Sequence, residues 1–297
     1  MSFFFEVLVG GLLSGIMYSL VALGFVLIYK ASSVFNFAQG AMVFFAVLSF
    51  VGFMELGLNF WIALPVTVGV MVGVGVLTER FVLRPLVGQS EDTLLMATIG
   101  LAFIIEGVAQ LAWGVEVRRL DLGIRDEPMG WLADKTDILV SQLDIAAGLV
   151  AGIMVAVLAL VFSKTKVGRG LRAVADDNAA ALSIGIPLKQ IWILVWATAG
   201  VVALVAGMLW GARSGVQFAL VGVALKALPV LIIGGFTSIP GVIVAGLIVG
   251  AAEKMAEVYL GPFVGGGIEG WLPYVLAVIF LLFRPEGLFG EKIIRRV

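Results

Sequence analysis

The stretch FFFEVLVGGLLSGIMYSLVALGFVLIY, residues 3–29, decides the fold class of this chain. A bilayer core of about 30 Å needs about 20 apolar residues in a helix, because every backbone amide must find its hydrogen-bond partner inside the segment. The stretch exceeds this length and carries a single charged side chain, Glu6. No Lys or Arg precedes it, unlike the start of a cleaved signal peptide. We therefore interpret it as a retained first membrane span.

The composition places the whole chain in the same class. Of its 297 residues, 61% are hydrophobic and only 13% are charged, which is far too apolar for a soluble domain of this size. The chain has no Cys and no His. Their absence excludes disulfides, thiolate nucleophiles, Cys/His metal sites and the usual proton carrier at neutral pH. We expect an integral membrane protein with no metal site and no cofactor of its own.

The same length criterion predicts about eight to ten membrane spans, and hence an all-α, polytopic membrane helix bundle. The candidate spans are residues 3–29, 35–56, 60–77, 94–113, 138–162, 192–210, 219–236, 240–259 and 271–283. Lys226 and Pro229 interrupt the seventh, a Glu-Lys pair falls in the eighth, and the ninth is short. We expect some of these three helices to be broken or re-entrant. Residues 1–297 are treated as one transmembrane domain with a cytoplasmic loop at 163–191.

Positive charge predicts which side of the membrane the loops face. If the 163–191 loop is cytoplasmic, alternation of the spans puts residues 30–34, 78–93 and the tail from Arg284 on the same side. Twelve of the 19 Lys and Arg residues then lie inside and six outside, with Lys226 within a span. The positive-inside rule therefore favours an external N-terminus and a cytoplasmic C-terminus.

Glycines inside the spans indicate close helix packing. Gly11 and Gly15, like Gly69 and Gly73, are four residues apart. Small residues at this spacing let helices approach closely where lipid offers no hydrophobic drive. We expect tight packing within one bundle, and a dedicated dimer motif is the alternative.

The cationic stretch SKTKVGRGLRAVADDNAAALSIGIPLKQI, residues 163–191, predicts a short helix between two spans. The positions that predict its apolar side are Leu171, Val174, Ala175, Leu182 and Ile186. The acidic pair at 176–177 and Asn178 compete with this helix or cap a second one. Gly185 and Pro187 then end it.

Two interpretations of this helix remain open. It is either a docking surface for a soluble partner or an interfacial helix attracted to anionic lipid through its basic residues. Those basic residues are Lys164, Lys166, Arg169 and Arg172. The acidic pair and the Ala-rich face favour the docking surface.

Three stretches carry a family resemblance. The first is GLLSGIMYSLVALGFVLIYKASSVFNFAQGAM at 11–42, the second is VGRGLRAVADDNAAALSIGIP at 167–187, and the third is IIGGFTSIPGVIVAGLIVG at 232–250 followed by FRPEGLFG at 283–290. Together they resemble the permease subunits of branched-chain amino acid ABC importers, of the high-affinity H type. The resemblance spans almost the whole chain.

The resemblance implies an importer in which an external solute-binding protein delivers the solute, two related permeases form the path and two ATPase subunits drive it. The second permease is expected to be a different chain, so that the pair is a heterodimer. ATP and Mg are expected on the ATPase subunits, because no G-x-x-x-x-G-K-[ST] phosphate loop occurs in this sequence. The implied location is the cytoplasmic (inner) membrane of a bacterium or an archaeon.

In such an importer the resemblance implies that residues 171–183 form the coupling helix, which fits a groove on an ATPase subunit. The residues expected in this coupling contact are Arg169, Arg172, Ala173, Asp176, Asp177, Asn178, Ala180 and Gly185.

Polar residues in the candidate spans are the candidates for a translocation path. They are Asn36, Gln39, Glu106, Gln110 and Lys226. Each is costly in hydrocarbon, so an inward-facing or water-lined position is expected. Asn36 and Gln39, three residues apart, can share a helix face, and we expect them to bond a neighbouring helix or a broken backbone. Glu106 is expected either to pair with Lys226 or to contact an amino group.

The main alternative function is a gradient-driven secondary transporter or channel for a small solute. A proton-coupled carrier usually has several intramembrane carboxylates or a histidine, whereas this chain offers chiefly Glu106. An enzyme is disfavoured, because no His, no Cys and no serine with an obvious base supplies acid-base or nucleophilic chemistry. As the resemblance implies, we expect a permease for branched-chain or other hydrophobic amino acids, or for related small solutes.

Overall fold

The computed structural model describes residues 2–86, 88–136, 138–176 and 178–290, and within these ranges the chain is helical and contains no β-strand. The helices are α1 (Ser2–Ser32), α2 (Gln39–Glu55), α3 (Phe60–Leu77), α4 (Glu91–Trp113), α5 (Gly130–Thr136), α6 (Gln142–Lys164), α7 (Lys166–Asp176), α8 (Asn178–Ser183), α9 (Leu188–Ser214), α10 (Val221–Gly234), α11 (Ile239–Val264) and α12 (Leu272–Phe283). Six described helices are long and apolar enough to cross a membrane, and α2, α10 and α12 are shorter apolar helices. Each predicted span corresponds to one of these nine, which confirms the all-α membrane bundle.

Side-chain caps set helix starts next to polar turns. Asn59 accepts a hydrogen bond of 3.0 Å from the Ile62 amide at the start of α3. Ser238 accepts one of 3.0 Å from the Gly241 amide at the start of α11. These caps satisfy amides that have no partner inside the helix.

The segment after α3 departs from the prediction, which ended the third span at residue 77. The backbone continues as a π-helical turn, Thr78–Leu83, and then as a 3-10 turn, Arg84–Leu86. The Arg84 amide donates to the Glu79 carbonyl, five residues back, which is the spacing of a π-helix. The third apolar segment therefore reaches residue 86.

The contacts within the chain group it into two compact units. The first unit consists of the described residues within 1–22, 121–156 and 225–297. The second consists of those within 23–120 and 157–224.

In the first unit, α1 and α11 cross with their backbones in contact. A Cβ added at Gly11 would lie 2.7 Å from the carbonyl oxygen of Gly250, and one added at Gly250 would lie 2.5 Å from the Cα of Gly15. Ser19 adds a hydrogen bond of 3.0 Å from its Oγ to the Val242 carbonyl. Small residues on both helices permit this approach, so the predicted tight packing at Gly11 and Gly15 occurs within the chain.

The second predicted glycine pair, Gly69 and Gly73, makes no such close contact. A Cβ added at Gly69 or Gly73 would meet nothing within 4 Å, so the expectation of tight packing there is wrong. Gly75 makes the close approach on this helix instead, since a Cβ there would lie 2.8 Å from the Ala197 amide nitrogen of α9. Spacing alone does not tell which face of a helix meets a neighbour.

In the second unit, α2 forms the centre. It is buried from Gln39 to Gly52 and packs against α3, α4 and α9. Gly207 of α9 lies against its backbone, because an added Cβ would come within 2.7 Å of the Val43 carbonyl oxygen. A short helix surrounded by others has no lipid-facing side, which explains its uninterrupted burial.

Two contacts in the second unit agree with the predicted alternation of loops. The Nε1 of Trp192 donates to the Ala31 carbonyl at 3.0 Å, joining the start of α9 to the end of α1. Beyond the other end of α9, the backbones of Arg118 and Val216 exchange hydrogen bonds of 3.0 and 2.8 Å. The charge pattern places the first pair inside and the second pair outside.

The first unit follows the same pattern. The Leu139 amide donates to Glu6 Oε2 at 3.2 Å, and both residues lie near the ends of predicted spans, 138–162 and 3–29, that face the external side. The Leu288 amide donates to the Ile233 carbonyl at 2.7 Å; Leu288 lies in the tail predicted to be internal, and Ile233 lies near the internal end of the predicted span 219–236.

We expect Gly11→Ala to destabilise the chain, because its Cβ would meet the backbone of α11 at Gly250 and Ala251. Overpacking of this kind lowers the free energy of unfolding by about 1–3 kcal/mol. Gly69→Ala is the matched control, since its Cβ meets nothing within 4 Å and alanine has a helix propensity better by about 1 kcal/mol. Thermal unfolding of the purified chain in detergent measures both. Equal transition temperatures for the two variants would contradict the close crossing.

Candidate functional site

The predicted docking segment forms two short helices, α7 and α8. The second ends where the sequence predicts, because Gly185 has a φ of 83°, a conformation that favours glycine. The Gly185 amide donates to the Leu182 carbonyl at 3.0 Å, and the Ile186 amide donates to the Ala181 carbonyl at 3.0 Å. This pair of bonds is a Schellman motif, which satisfies the last carbonyls of the helix.

Arg172 anchors α7 to the end of α6. Its Nη1 donates to the Phe162 carbonyl at 2.7 Å, and its Nη2 donates to the Ser163 carbonyl at 3.4 Å. A cation at the C-terminus of a helix satisfies free carbonyls and complements the helix dipole. The predicted coupling residue Arg172 is therefore a positioning residue for α7 as well.

The buried and exposed residues of α7 and α8 differ from those predicted. Leu171, Val174 and Ala181 are buried. Leu182, predicted on the same apolar side, is 54% exposed, and Ile184 beyond it is 73% exposed. The predicted apolar side therefore does not hold at Leu182.

The other predicted coupling residues have these positions. Arg169, Ala180 and Gly185 are exposed, and Ala173 is half-buried. Asp177 lies outside the described residues, as do the side chains of Asp176 and Asn178.

Asn36 and Gln39 lie where the chain enters α2. Asn36 precedes the helix, so the prediction that the two share a helix face is wrong. Its Oδ1 accepts from the Ala38 amide at 3.0 Å, and its Nδ2 donates to Gln39 Oε1 at 3.3 Å. These bonds compete with helical ones, which is why α2 begins later than the predicted span. The expected contact with broken backbone is present.

Gln39 retains a donor without a partner. Its side chain is fully buried, and its Nε2 has no hydrogen-bond partner among the described residues. The amide lies against Gly24 of α1, whose lack of a side chain leaves room for it. A buried side-chain amide whose two N–H donors are both unused is a candidate contact for a solute.

A charged cluster joins three helices of the first unit. Lys226 Nζ of α10 lies 3.7 Å from Glu253 Oε1 of α11, and the Tyr18 hydroxyl of α1 donates to the same oxygen at 3.1 Å. The Glu253 side chain is 4% exposed, and its Oε2 has no hydrogen-bond partner among the described residues. Lys226 therefore has Glu253 as its counter-charge, where the sequence suggested Glu106.

Glu253 and Tyr18 were absent from the candidate path residues. The sequence does contain a signal for Glu253, because a carboxylate inside an apolar helix requires a partner of opposite charge. Nothing in the chain order indicates which of several helices supplies that partner.

Glu106 and Gln110 lie on α4, half-buried and four residues apart, so they are neighbours on one face. Neither side chain makes a hydrogen bond or an ion pair with the residues that the structure describes. A carboxylate within a span requires water or an outside partner. The edge of α4 that carries both residues is therefore a candidate for a contact that the described residues do not supply.

The third motif packs the turn between α10 and α11 against the segment after α12. Gly235 has a φ of 98° and Gly287 a φ of 85°. A Cβ added at Gly287 would lie 2.6 Å from the Cα of Gly235. The glycines of this motif are thus required by close backbone contact.

The chain is similar to known proteins along almost its whole length. A model of the family described as "Branched-chain amino acid transport system / permease component" matches residues 7–284. The chain is 26% identical to the high-affinity branched-chain amino acid transport system permease protein BraD of Pseudomonas aeruginosa, over 99% of this chain and 98% of that protein. It is 24% identical to the corresponding protein LivH of Escherichia coli with the same coverage.

An archaeal relative is similar at the same level. The probable branched-chain amino acid transport permease protein LivH of Methanocaldococcus jannaschii is 26% identical, over 96% of this chain and 92% of that protein. Among solved structures, PsaBC from Streptococcus pneumoniae in complex with Fab aligns with a TM-score of 0.47 and 15% identity, over 92% of this chain and 89% of that chain.

The charged cluster of Lys226, Glu253 and Tyr18 can be tested by removing its charges. We expect Lys226→Met to lower the free energy of unfolding by about 1–3 kcal/mol, because Glu253 is left buried with its charge unpaired. The double variant Lys226→Met/Glu253→Gln should recover most of this loss, since no charge then remains.

Lys254→Met is the matched control. It removes the adjacent lysine, whose Nζ lies 3.2 Å from Glu269 Oε2. The side chains of this pair are 33% and 41% exposed. An exposed pair contributes about 0–1 kcal/mol. Thermal unfolding in detergent measures all variants, and a double variant as unstable as the sum of its single changes would rule out the Lys226–Glu253 pairing.

Proposed function

The chain belongs to the family of branched-chain amino acid transport system permease components, and on this premise we propose that it is the transmembrane permease subunit of an ABC importer. The observation that carries the proposal is the family match from residue 7 to residue 284, on a bundle of apolar helices. The chain is a transport subunit and not an enzyme. The proposed solutes are branched-chain or other hydrophobic amino acids, or related small solutes.

The proposed assembly contains a second related permease in a heterodimer, two ATPase subunits that hold ATP and Mg, and an external solute-binding protein. It sits in the cytoplasmic membrane of a bacterium or an archaeon. The absence of a phosphate loop from the sequence supports a separate source of ATP hydrolysis.

The proposed ATPase contact is the outer face of α7 and α8. Its support is that α7 exposes the cation Arg169, that α8 exposes the apolar Leu182, and that Ile184 just beyond α8 is exposed as well. Apolar side chains surrounded by polar residues are typical of a protein interface. Arg172 transmits force because it bonds α7 to the end of the α6 span at Phe162.

The proposed path uses polar groups that the chain leaves incompletely bonded. Gln39 supplies a buried amide donor, and the α4 edge with Glu106 and Gln110 supplies a carboxylate and an amide. An amino acid carries an ammonium group that a carboxylate recognises and a carboxylate that an N–H donor recognises. Lys226 has a lesser role here, because Glu253 already pairs with it.

We expect Leu182→Arg to lower solute-stimulated ATP turnover of the reconstituted complex by at least about tenfold, the factor that corresponds to 1.4 kcal/mol of lost contact energy. Leu139→Arg is the matched control, because Leu139 is 57% exposed compared with 54% for Leu182 and lies at the end of the predicted span 138–162 that faces the external side. The assay uses the second permease, the ATPases, the solute-binding protein and a panel of amino acids. If neither variant loses ATP turnover, the proposed coupling face is wrong. Transport that continues without ATP would favour a gradient-driven carrier.

We expect Glu106→Gln to weaken uptake of zwitterionic amino acids by about tenfold in apparent affinity, because one charge-assisted hydrogen bond is lost. Uptake of labelled leucine into proteoliposomes measures affinity and rate. Gln110→Glu is the companion variant, since it adds a carboxylate at the same edge. Unchanged affinity and rate in Glu106→Gln would remove this residue from the path.

A further inference from the structure

A cavity of about 310 Å³ lies in the second unit between α3 with its π-helical turn and α4. Phe81 belongs to one wall, Ile104 and Val108 belong to the other, and α2 contributes Phe45. Thr78 is the one described lining residue with a polar side chain. The volume lies at the lower end of the range of about 300–1,000 Å³ that is usual for ligand sites. Such a lining accepts an apolar ligand.

The walls of this cavity face outward from the spans. Phe81 is 67% exposed and Ile104 is 62% exposed. Glu106 lies two residues from both Ile104 and Val108, which places it about 200° around α4 from each of them. The cavity and the polar edge proposed for the path are therefore on opposite sides of α4, and the cavity opens toward hydrocarbon.

A cation lies beside the cavity. The guanidinium carbon of Arg80 is 5.8 Å from the centroid of the Phe81 ring, which is itself part of the lining. Arg80 is exposed and makes no ion pair and no side-chain hydrogen bond with the described part of the chain. Its guanidinium is thus available to an anion from outside.

The other arginine of this segment is already engaged. Arg84 donates to the Glu79 carboxylate from Nε at 3.1 Å and from Nη2 at 2.8 and 2.7 Å. Glu79 is almost fully buried, so this pair holds the π-helical turn in place. The turn therefore holds Arg84 on the Glu79 carboxylate and leaves Arg80 beside the cavity.

We propose that this cavity and Arg80 bind one anionic phospholipid, with an acyl chain in the cavity and the phosphate on the Arg80 guanidinium. The apolar lining and the opening toward hydrocarbon fit an acyl chain. The cation lies toward the end of the third apolar segment, Phe60–Leu86, that is predicted to face the cytoplasm, where anionic headgroups attract Arg and Lys. The inference goes beyond the transport role and does not depend on which solute is carried.

The test uses the assembled permease complex in nanodiscs of phosphatidylcholine that contain phosphatidylglycerol with a photoactivatable acyl chain. We expect cross-links at residues 78–83 and 101–108, identified by mass spectrometry. Unlabelled phosphatidylglycerol should compete about fivefold better than phosphatidylcholine, the factor expected of one arginine near a headgroup. Absence of cross-links would mean that a partner permease covers this surface, and would overturn the proposal.

Variants separate the headgroup contact from the acyl contact. Arg80→Gln should abolish the fivefold preference and keep the cross-links, whereas Arg125→Gln, at an exposed arginine of the loop predicted to be external, should change neither. Val108→Trp should reduce the cross-links by filling the cavity. Equal competition by both lipids in the parent, or an unchanged preference in Arg80→Gln, would overturn the proposal. Neither result requires transport, so failure here is distinguishable from failure of the permease function.

Discussion

The constraint on which this structure depends is that hydrocarbon offers no hydrogen-bond partner. Every polar group inside a span must be satisfied by the chain itself or by something the chain meets. Tyr18 and Lys226 both contact Glu253 Oε1 within the first unit. Asn36 satisfies the backbone where α2 begins. The helices are arranged so that these pairings can form.

Close backbone contact makes such pairings possible. The crossing of α1 and α11 at Gly11, Gly15 and Gly250 brings the two helices together without intervening side chains. The two helices run antiparallel here, so Tyr18 and Glu253 lie on either side of the crossing, and the close approach of the backbones lets the Tyr18 hydroxyl reach Glu253 Oε1 at 3.1 Å. The glycines thus determine where a buried charge can be accommodated, in addition to permitting tight packing.

The groups that the chain leaves unsatisfied point to its partners. Glu106 on α4 makes no ion pair with a described residue, and Leu182 and Ile184 are apolar side chains exposed at a polar loop. Arg80 is a free guanidinium beside an apolar cavity, within the described residues. Under the functions proposed above, these three surfaces would contact the solute, an ATPase subunit and a lipid, respectively.

The sequence by itself determined the fold class, the positions of the nine apolar helices and the end of the docking segment at Gly185, because apolar length and glycine conformation are local properties. Only the tertiary structure decided that Lys226 pairs with Glu253, that Gly75 makes the contact expected of Gly69 and Gly73, and that Leu182 is exposed. These depend on which helix face meets which neighbour. The chain order does not specify this, since residues far apart become partners only when the helices pack.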